Sequence, residues 1–148
     1  MTEDRIWADE SKEVWIGGLL YLAHRRARSG TNVALAPHGI DLRHLGVLGH
    51  LAAAGPVTQR DLIDALQMDK STMVHVIDDL ERLGLAERRA AEGDRRANAI
   101  YLTPAGAERL EQAMVAAGGA MRKMLGHMSI DDREHLAELL QSFAGGPG

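Results

Sequence analysis

The 148-residue chain is long enough for one domain with a sizeable core, because 45% of its residues are hydrophobic, although aromatic residues make up only 3%. It contains no cysteine, which excludes disulfides, thiolate metal sites and a cysteine redox switch. The formal net charge of −4 weighs against a nucleic-acid partner, but four arginines between residues 88 and 96 form a local excess of positive charge.

The first half of the chain predicts helices. One helix is expected from about residue 10 to residue 36, where apolar residues recur at helical spacing, and Pro37-His38-Gly39 ends it. Asp41 is a good N-cap for a second helix, in which leucines follow at steps of three until Gly55-Pro56. These two helices precede the segment with the clearest functional pattern.

Two short helices joined by a tight turn follow. Thr58 caps the third helix with Asp61 three residues on, and Asp69 caps a fourth helix that runs to about Leu83. Gly84 stands where a left-handed C-terminal cap is wanted. A short helix, a tight turn and a second amphipathic helix are typical of a helix-turn-helix.

The period then changes to that of strands. Residues 85–89 and 99–102 predict two short strands, and residues 90–98, with Gly93 and several charges, predict the loop between them. A hairpin directly after a recognition-type helix is a wing. We therefore expect the strands to form a small β-hairpin wing beside the helices.

The last part of the chain returns to helix. Thr103 and Pro104 form an N-cap and a first helical residue, and a long helix follows in which Gly118-Gly119 marks a candidate kink. Ser129 caps a final helix with apolar residues at 136, 139, 140 and 143. The predicted fold class is mainly α with a small β-hairpin wing.

Five segments between residues 38 and 110 resemble, in order and spacing, the MarR (multiple antibiotic resistance regulator) family of winged helix-turn-helix transcriptional regulators. They are Gly55-Pro56-Val57-Thr58-Gln59-Arg60-Asp61-Leu62, Asp69-Lys70-Ser71-Thr72-Met73, Leu80-Glu81-Arg82-Leu83-Gly84-Leu85, Asp94-Arg95-Arg96 and Leu102-Thr103-Pro104-Ala105-Gly106. Each segment is a weak signal by itself, and five in register are a strong one.

The resemblance implies a division of the chain and a function. Residues 1–37 are expected to form an N-terminal dimerisation helix, 38–103 the winged helix-turn-helix DNA-binding domain, and 104–148 the C-terminal dimerisation helices. The implied protein is a homodimer that binds a pseudo-palindromic operator in double-stranded DNA and represses nearby genes until a small aromatic or other effector binds. The operator sequence, the effector and the target genes stay open.

The predicted DNA contacts centre on the fourth helix. Ser71 and Thr72 in its first turn suit phosphate oxygens, which the helix dipole also favours. Val74 and His75 are expected to face the major groove, where Val74 would contact a thymine methyl and His75 a guanine. Relatives more often carry Thr-Arg at these two positions. Phosphate contacts from the edge of the motif are expected from three further residues, Gln59, Arg60 and Lys70.

The hairpin loop supplies the other predicted contacts. Arg95 and Arg96 lie at its tip, and Arg95 is expected to enter the minor groove, where negative potential is high. Asp94 would pair with Arg96 or another arginine and hold the wing in shape. Across residues 58–103 the chain carries seven basic and nine acidic residues, so Asp78, Asp79 and Glu81 must point away from phosphate.

A candidate effector pocket lies at the first two helices, with Trp15, Tyr21, His24 and His44 as its candidate residues. No cofactor is required. Seven histidines raise the alternative of a zinc-responsive regulator, but none are spaced as His-x3-His on a helix, so no metal ligand is assigned.

Two other classes of function can be compared with the sequence. A winged-helix dimer that no longer binds DNA and acts as an interaction or ligand-binding module is supported by the acidic residues of the fourth helix. An enzyme is not expected, because no nucleophilic, phosphate-loop or metal-hydrolase constellation is present. The acidic N-terminus and the absence of an apolar run of ~20 residues lead us to expect a cytoplasmic protein and no membrane partner.

Overall fold

The computed structural model describes residues 11–91 and 94–146, with side chains throughout these ranges except at residues 91–97. The described helices are α1 (Lys12–Leu35), α2 (Leu42–Ala54), α3 (Gln59–Leu66), α4 (Lys70–Arg82), α5 (Pro104–Met124) and α6 (Ile130–Gly145). The described strands are β1 (Val57–Thr58), β2 (Ala86–Ala91) and β3 (Asp94–Leu102). The mainly α fold with a β-hairpin is therefore confirmed.

The helices begin where the capping residues predict. Each of the five predicted caps accepts a hydrogen bond from a backbone N–H of the following turn, which satisfies one of the donors that a helix start leaves free. The caps are Asp41, Thr58, Asp69, Thr103 and Ser129, with donor–acceptor distances between 2.8 and 3.1 Å. Local sequence is thus sufficient to place the start of every helix from α2 to α6.

Helix ends depend on left-handed residues, one of which the sequence did not signal. Gly84 ends the α4 segment with φ +74°, as its predicted role as a left-handed cap requires. The turn between α3 and α4 uses Gln67 at φ +51°, where a glycine would be the usual residue. α5 runs without interruption through Gly118-Gly119, from Pro104 to Met124.

The sheet is larger than predicted. Its strand order is β1-β3-β2, all antiparallel, and β1 pairs through Val57 with Ile100. The prediction of a loop over residues 90–98 was wrong, because β2 extends to Ala91 and β3 begins at Asp94. The sequence from Ala90 to Arg96 has no apolar alternation, so the strand pattern does not reveal this outer part of the ribbon.

The core lies in the winged domain, while the flanking helices leave apolar side chains uncovered. Buried core residues come from α2, α3, α4 and the sheet, with Leu35 at the end of α1 and Ala113 and Ala117 of α5 packed against them. By contrast, apolar side chains on α1 and α6 are exposed in the single chain, although their spacing predicts a buried face. Examples are Val14, Leu19, Val33, Leu139, Leu140 and Phe143.

Within residues 11–91 and 94–146, none of the helices has the combination of length and apolar character that crossing a bilayer requires.

Candidate nucleic-acid interface

Helix α4 has one buried face and one exposed face. Met73, Val76, Ile77 and Leu80 are buried completely against the core of the winged domain. This packing leaves the opposite side outward, and there Ser71 and His75 are exposed while Val74 is half-buried. The hairpin β2–β3 follows α4 directly, so the helix and the wing lie next to each other along the chain.

The first turn of α4 is held by its cap. Asp69 accepts hydrogen bonds from the backbone N–H of Thr72 and from its hydroxyl, both at 2.8 Å. These bonds stabilise the carboxylate and lower the pKa of Asp69 below its ordinary value. The hydroxyl proton of Thr72 is therefore already used, whereas Ser71 and Lys70 are exposed beside it.

The other predicted contact residues lie around this turn or in the hairpin. Arg60 is exposed and Gln59 is half-buried in the first turn of α3. Asp94, Arg95 and Arg96 belong by their backbone to β3, and their side chains lie outside the described part of the structure.

The acidic residues of α4 are paired with cations. Arg88 on β2 contacts Asp78 at 2.8 Å and also forms an ion pair with Glu81. Asp79 contacts His44 at 2.9 Å and Arg82 at 3.3 Å. The hydrogen bond with His44 is the largest influence on Asp79 and lowers the pKa of its carboxyl group. Sequence reasoning counted Arg88 with the basic cluster of the wing and missed that it neutralises the recognition helix.

The residues that follow the C-terminal end of α4 are hydrogen-bonded to the start of α5. The hydroxyl of Thr103 donates to the carbonyl of Gly84 at 2.7 Å, and its backbone N–H donates to the carbonyl of Leu85 at 3.2 Å. The same hydroxyl accepts the N–H of Gly106 as the cap of α5. One threonine therefore joins the long helix to the end of the recognition helix.

Two cavities lie along α1 and α5. Cavity 1 has a volume of about 470 Å³ between α1, α5 and α6, and cavity 2 has about 320 Å³ beside the start of α2. His24, Ala27 and Met121 line both, Arg26 lines the first and Arg28 the second. No carboxylate is among the residues that line either cavity, and most of the walls are methionine, leucine or alanine.

The four predicted pocket residues are not brought together. His24 lines both cavities, whereas Tyr21 is exposed on a shallow groove of α1. The indole Nε1 of Trp15 is buried with no hydrogen-bond partner among the described residues, and His44 is buried at the start of α2. The arginines Arg26 and Arg28 were missed, although the run His24-Arg25-Arg26-Ala27-Arg28 signals an unbalanced positive charge on α1.

In the described part of the chain, no group of three or more histidine, aspartate or glutamate side chains is arranged to hold a metal ion.

Comparison with known proteins points to one family. A model described as "MarR family" matches residues 38–97. The multiple antibiotic resistance protein MarR of Salmonella typhimurium is 30% identical over 97 residues, which cover 66% of this chain and 67% of that protein. The uncharacterised HTH-type transcriptional regulator YdgJ of Bacillus subtilis is 29% identical over 102 residues. That match covers 69% of this chain and 62% of YdgJ, so the chain spans less than two thirds of that relative's length.

Solved structures extend the similarity beyond residues 38–97. A MarR-family transcriptional regulator from Rhodococcus sp. RHA1 superposes with a TM-score of 0.82 at 26% identity, over 91% of this chain and 96% of that one. CouR from Rhodococcus jostii RHA1, bound to p-coumaroyl-CoA, gives 0.75 at 28% identity over 90% and 94%. The repressor CouR bound to a 23-mer DNA duplex gives 0.80 at 25% identity over 86% and 91%.

Proposed function

The chain belongs to the MarR family, and we propose that it is a ligand-responsive repressor that binds a pseudo-palindromic operator as a homodimer. Regulators of this family act by binding DNA and not by catalysis. The observation that carries the proposal is the arrangement of α4, which buries Met73, Val76 and Ile77 and turns Ser71 and His75 outward, directly before a β-hairpin. An amphipathic helix held in this way presents its outer side to a major groove.

The proposed contacts fall into three groups. Residues in the first turns of α3 and α4 would bind backbone phosphates, and Thr72 would donate to a phosphate oxygen the hydroxyl proton that Asp69 accepts in this structure. These residues are Gln59, Arg60, Lys70, Ser71 and Thr72. Val74 and His75 would read base edges. In the hairpin, Arg95 would enter the minor groove while Asp94 and Arg96 support it. The structure of CouR bound to a DNA duplex, which has the same fold, supports DNA binding by this chain.

The ion pairs of α4 explain how an acidic domain approaches DNA. Asp78 and Glu81 share Arg88, and Asp79 is held by Arg82 and His44, so each carboxylate has a cation or a hydrogen-bond donor beside it. Seven basic and nine acidic residues between 58 and 103 still leave a formal charge of −2, since seven minus nine is −2. We therefore expect operator affinity to fall steeply with salt.

The flanking helices are proposed to form the dimer. Residues 1–37 and 104–148 would pack with the same helices of a second copy, and residues 38–103 would form the DNA-binding domain. The exposed apolar side chains of α1 and α6 support this division, because a second copy would remove Val14, Leu139 and Phe143 from water.

The effector is proposed to be an apolar anion. Both cavities have mostly apolar walls, and the basic side chains that line them are Arg26, Arg28, His24 and His127, without a carboxylate. The CouR structure with p-coumaroyl-CoA supports a ligand of this class. Binding of aromatic carboxylates and their CoA thioesters can be measured by calorimetry. Arg28→Met should weaken binding about tenfold, whereas Arg25→Met, outside both cavities, should not.

Selection of bound fragments from a random DNA pool tests the DNA-binding function. The selected pool should contain an inverted repeat whose half-sites lie about one helical turn apart. Arg95→Ala should weaken binding to that operator, and unchanged affinity would remove the wing contact from the proposal. A pool without enrichment at low salt would contradict the repressor function itself.

A further inference from the structure

His44 forms a direct connection between α2 and the recognition helix. It lies in the first turn of α2 and is 6% exposed. Its Nδ1 is 3.0 Å from the backbone nitrogen of Asp41, and its Nε2 is 2.9 Å from Oδ2 of Asp79 in α4. A side chain predicted to line the effector pocket is therefore placed away from both cavities and against α4.

The two hydrogen bonds define the proton on the ring. The backbone N–H of Asp41 can only donate, so Nδ1 accepts and Nε2 carries the hydrogen that is donated to Asp79. The bond to a carboxylate is charge-assisted, and such bonds are stronger and more directional than neutral ones. The imidazole thus connects α2 to α4 through two residues that lie 35 positions apart in the chain.

The start of α2, which carries His44, is itself bonded to α1 and α5. Asn32 of α1 accepts a hydrogen bond through Oδ1 from the backbone N–H of Leu42 at 2.9 Å, two residues before His44. Arg109 of α5 donates to the carbonyl of His38 at 2.6 Å, in the segment that joins α1 to α2. The start of α2 is therefore held by α1 and α5 before it reaches α4.

Apolar packing does not restrain α4 in the same manner. The buried residues of α4 decide which side of the helix faces the core, but the hydrophobic effect has no direction, so it tolerates small rotations about the helix axis that a directional hydrogen bond resists. Asp79 follows His75 by four residues, which places the two side chains within about 40° of each other around the axis. A bond that holds Asp79 therefore holds the direction in which His75 points.

We propose that His44 is a positioning residue that fixes the rotation of the recognition helix through its hydrogen bond to Asp79. The inference rests on the proposed function, because it concerns how the base-reading side chains are aimed. It predicts that the bond contributes to the discrimination between operator and other DNA. A residue that merely stabilised the fold would leave that discrimination unchanged in the folded protein.

Two matched aspartates give the sharpest test. Asp78→Ala and Asp79→Ala each remove one negative charge from neighbouring positions of α4, but only the second removes the acceptor of His44. Affinities for the selected operator and for a scrambled duplex are measured by fluorescence anisotropy, at a temperature where circular dichroism shows every variant folded. Asp79→Ala should lower the ratio of the two affinities about tenfold, and Asp78→Ala should leave that ratio unchanged.

Substitutions of the histidine complete the test. His44→Gln keeps an acceptor for Asp41 and a donor for Asp79, so it should retain most of the ratio, whereas His44→Leu removes both and should lower it as Asp79→Ala does. If His44→Leu does not fold, the comparison of Asp78→Ala with Asp79→Ala still tests the proposal, because Asp79 lies outside the core. Equal ratios for Asp78→Ala and Asp79→Ala would overturn the proposal, as would a glutamine variant as impaired as Asp79→Ala. If the unmodified protein binds no DNA sequence selectively, that result would instead refute the proposed function.

Discussion

At the scale of single residues, Gly106 shows a requirement for a small side chain that does not come from backbone conformation. A Cβ at this position would lie 2.0 Å from the carbonyl oxygen of Leu85 and 2.7 Å from Cδ1 of Leu102. The contact with Leu85 is with backbone, which cannot rotate away. The glycine is needed because Thr103 draws the start of α5 onto the exit of α4.

Gly106→Ala should therefore destabilise the protein by about 2 kcal/mol, since overpacking a close contact forces the backbone apart. Gly49→Ala is the matched control in α2, because a Cβ there meets nothing within 4 Å. It should stabilise by about 0.5 kcal/mol through its better helix propensity. Urea denaturation of both variants measures the difference, and equal unfolding free energies would contradict the steric argument.

At the scale of elements, the capping aspartates make the helices sensitive to acid. Hydrogen bonds from the first turn lower the pKa of Asp69 and Asp61 below the ordinary value of 3.8. A carboxyl group with a lowered pKa in the folded state contributes stability above pH 3.8, and loses it as the pH falls through the lowered value. Stability of α3 and α4 should therefore decrease in the acid range.

Asp69→Asn should flatten this acid dependence, because asparagine still caps the helix but does not titrate. The measurement is the unfolding free energy from urea denaturation between neutral pH and pH 3. Asp64→Asn removes the same charge from α3 without removing a cap, and should leave the slope of the unmodified protein. A slope in Asp69→Asn that equals that of the control would show that the cap does not carry the effect.

The pairing of β2 with α4 is a second property of elements, and Arg88→Ala tests it. Loss of the cation leaves Asp78 and Glu81 without their partner, so operator affinity should fall severalfold and the unfolding free energy by about 1 kcal/mol. Arg89→Ala is the control, because Arg89 pairs with Glu87 and lies over the ring of Tyr101 without contacting α4. Anisotropy titrations that give equal losses for both variants would exclude a specific role of Arg88.

At the scale of the whole molecule, the winged domain and the flanking helices differ in how much of their apolar surface a single chain buries. The winged domain buries its large apolar side chains within one chain. The flanking helices do not, and Phe143 on α6 is 70% exposed. In the proposed homodimer, we expect a second copy to cover this exposed apolar face.

Phe143→Glu should convert the dimer to a monomer, because it places a charge in the face that the partner covers. Operator affinity should fall about a hundredfold, since two linked half-site contacts become independent. Gln141→Glu places the same charge on the other side of α6 and should remain dimeric. Light scattering after size-exclusion chromatography measures both, and a dimeric Phe143→Glu protein would contradict this assignment of α6.

The sequence by itself determined the helix starts, the order of elements and the family. Asp41, Thr58 and Asp69 bind partners within three residues, so the local spacing of residues is enough to predict that they cap helices. The outer part of the hairpin was not predictable, because its sequence lacks the apolar alternation by which strands are recognised, although Ala90 pairs with Asn98 in the sheet.

Tertiary structure alone decided which residues meet across distance. Arg88 was visible as a basic residue, but its pairing with Asp78 and Glu81 depends on how β2 docks on α4. His24 lines a cavity beside α1, whereas His44 bonds Asp79, 35 residues away. Such contacts are set by the packing of whole elements, because hydrogen bonds and ion pairs require positions that no spacing along the chain specifies.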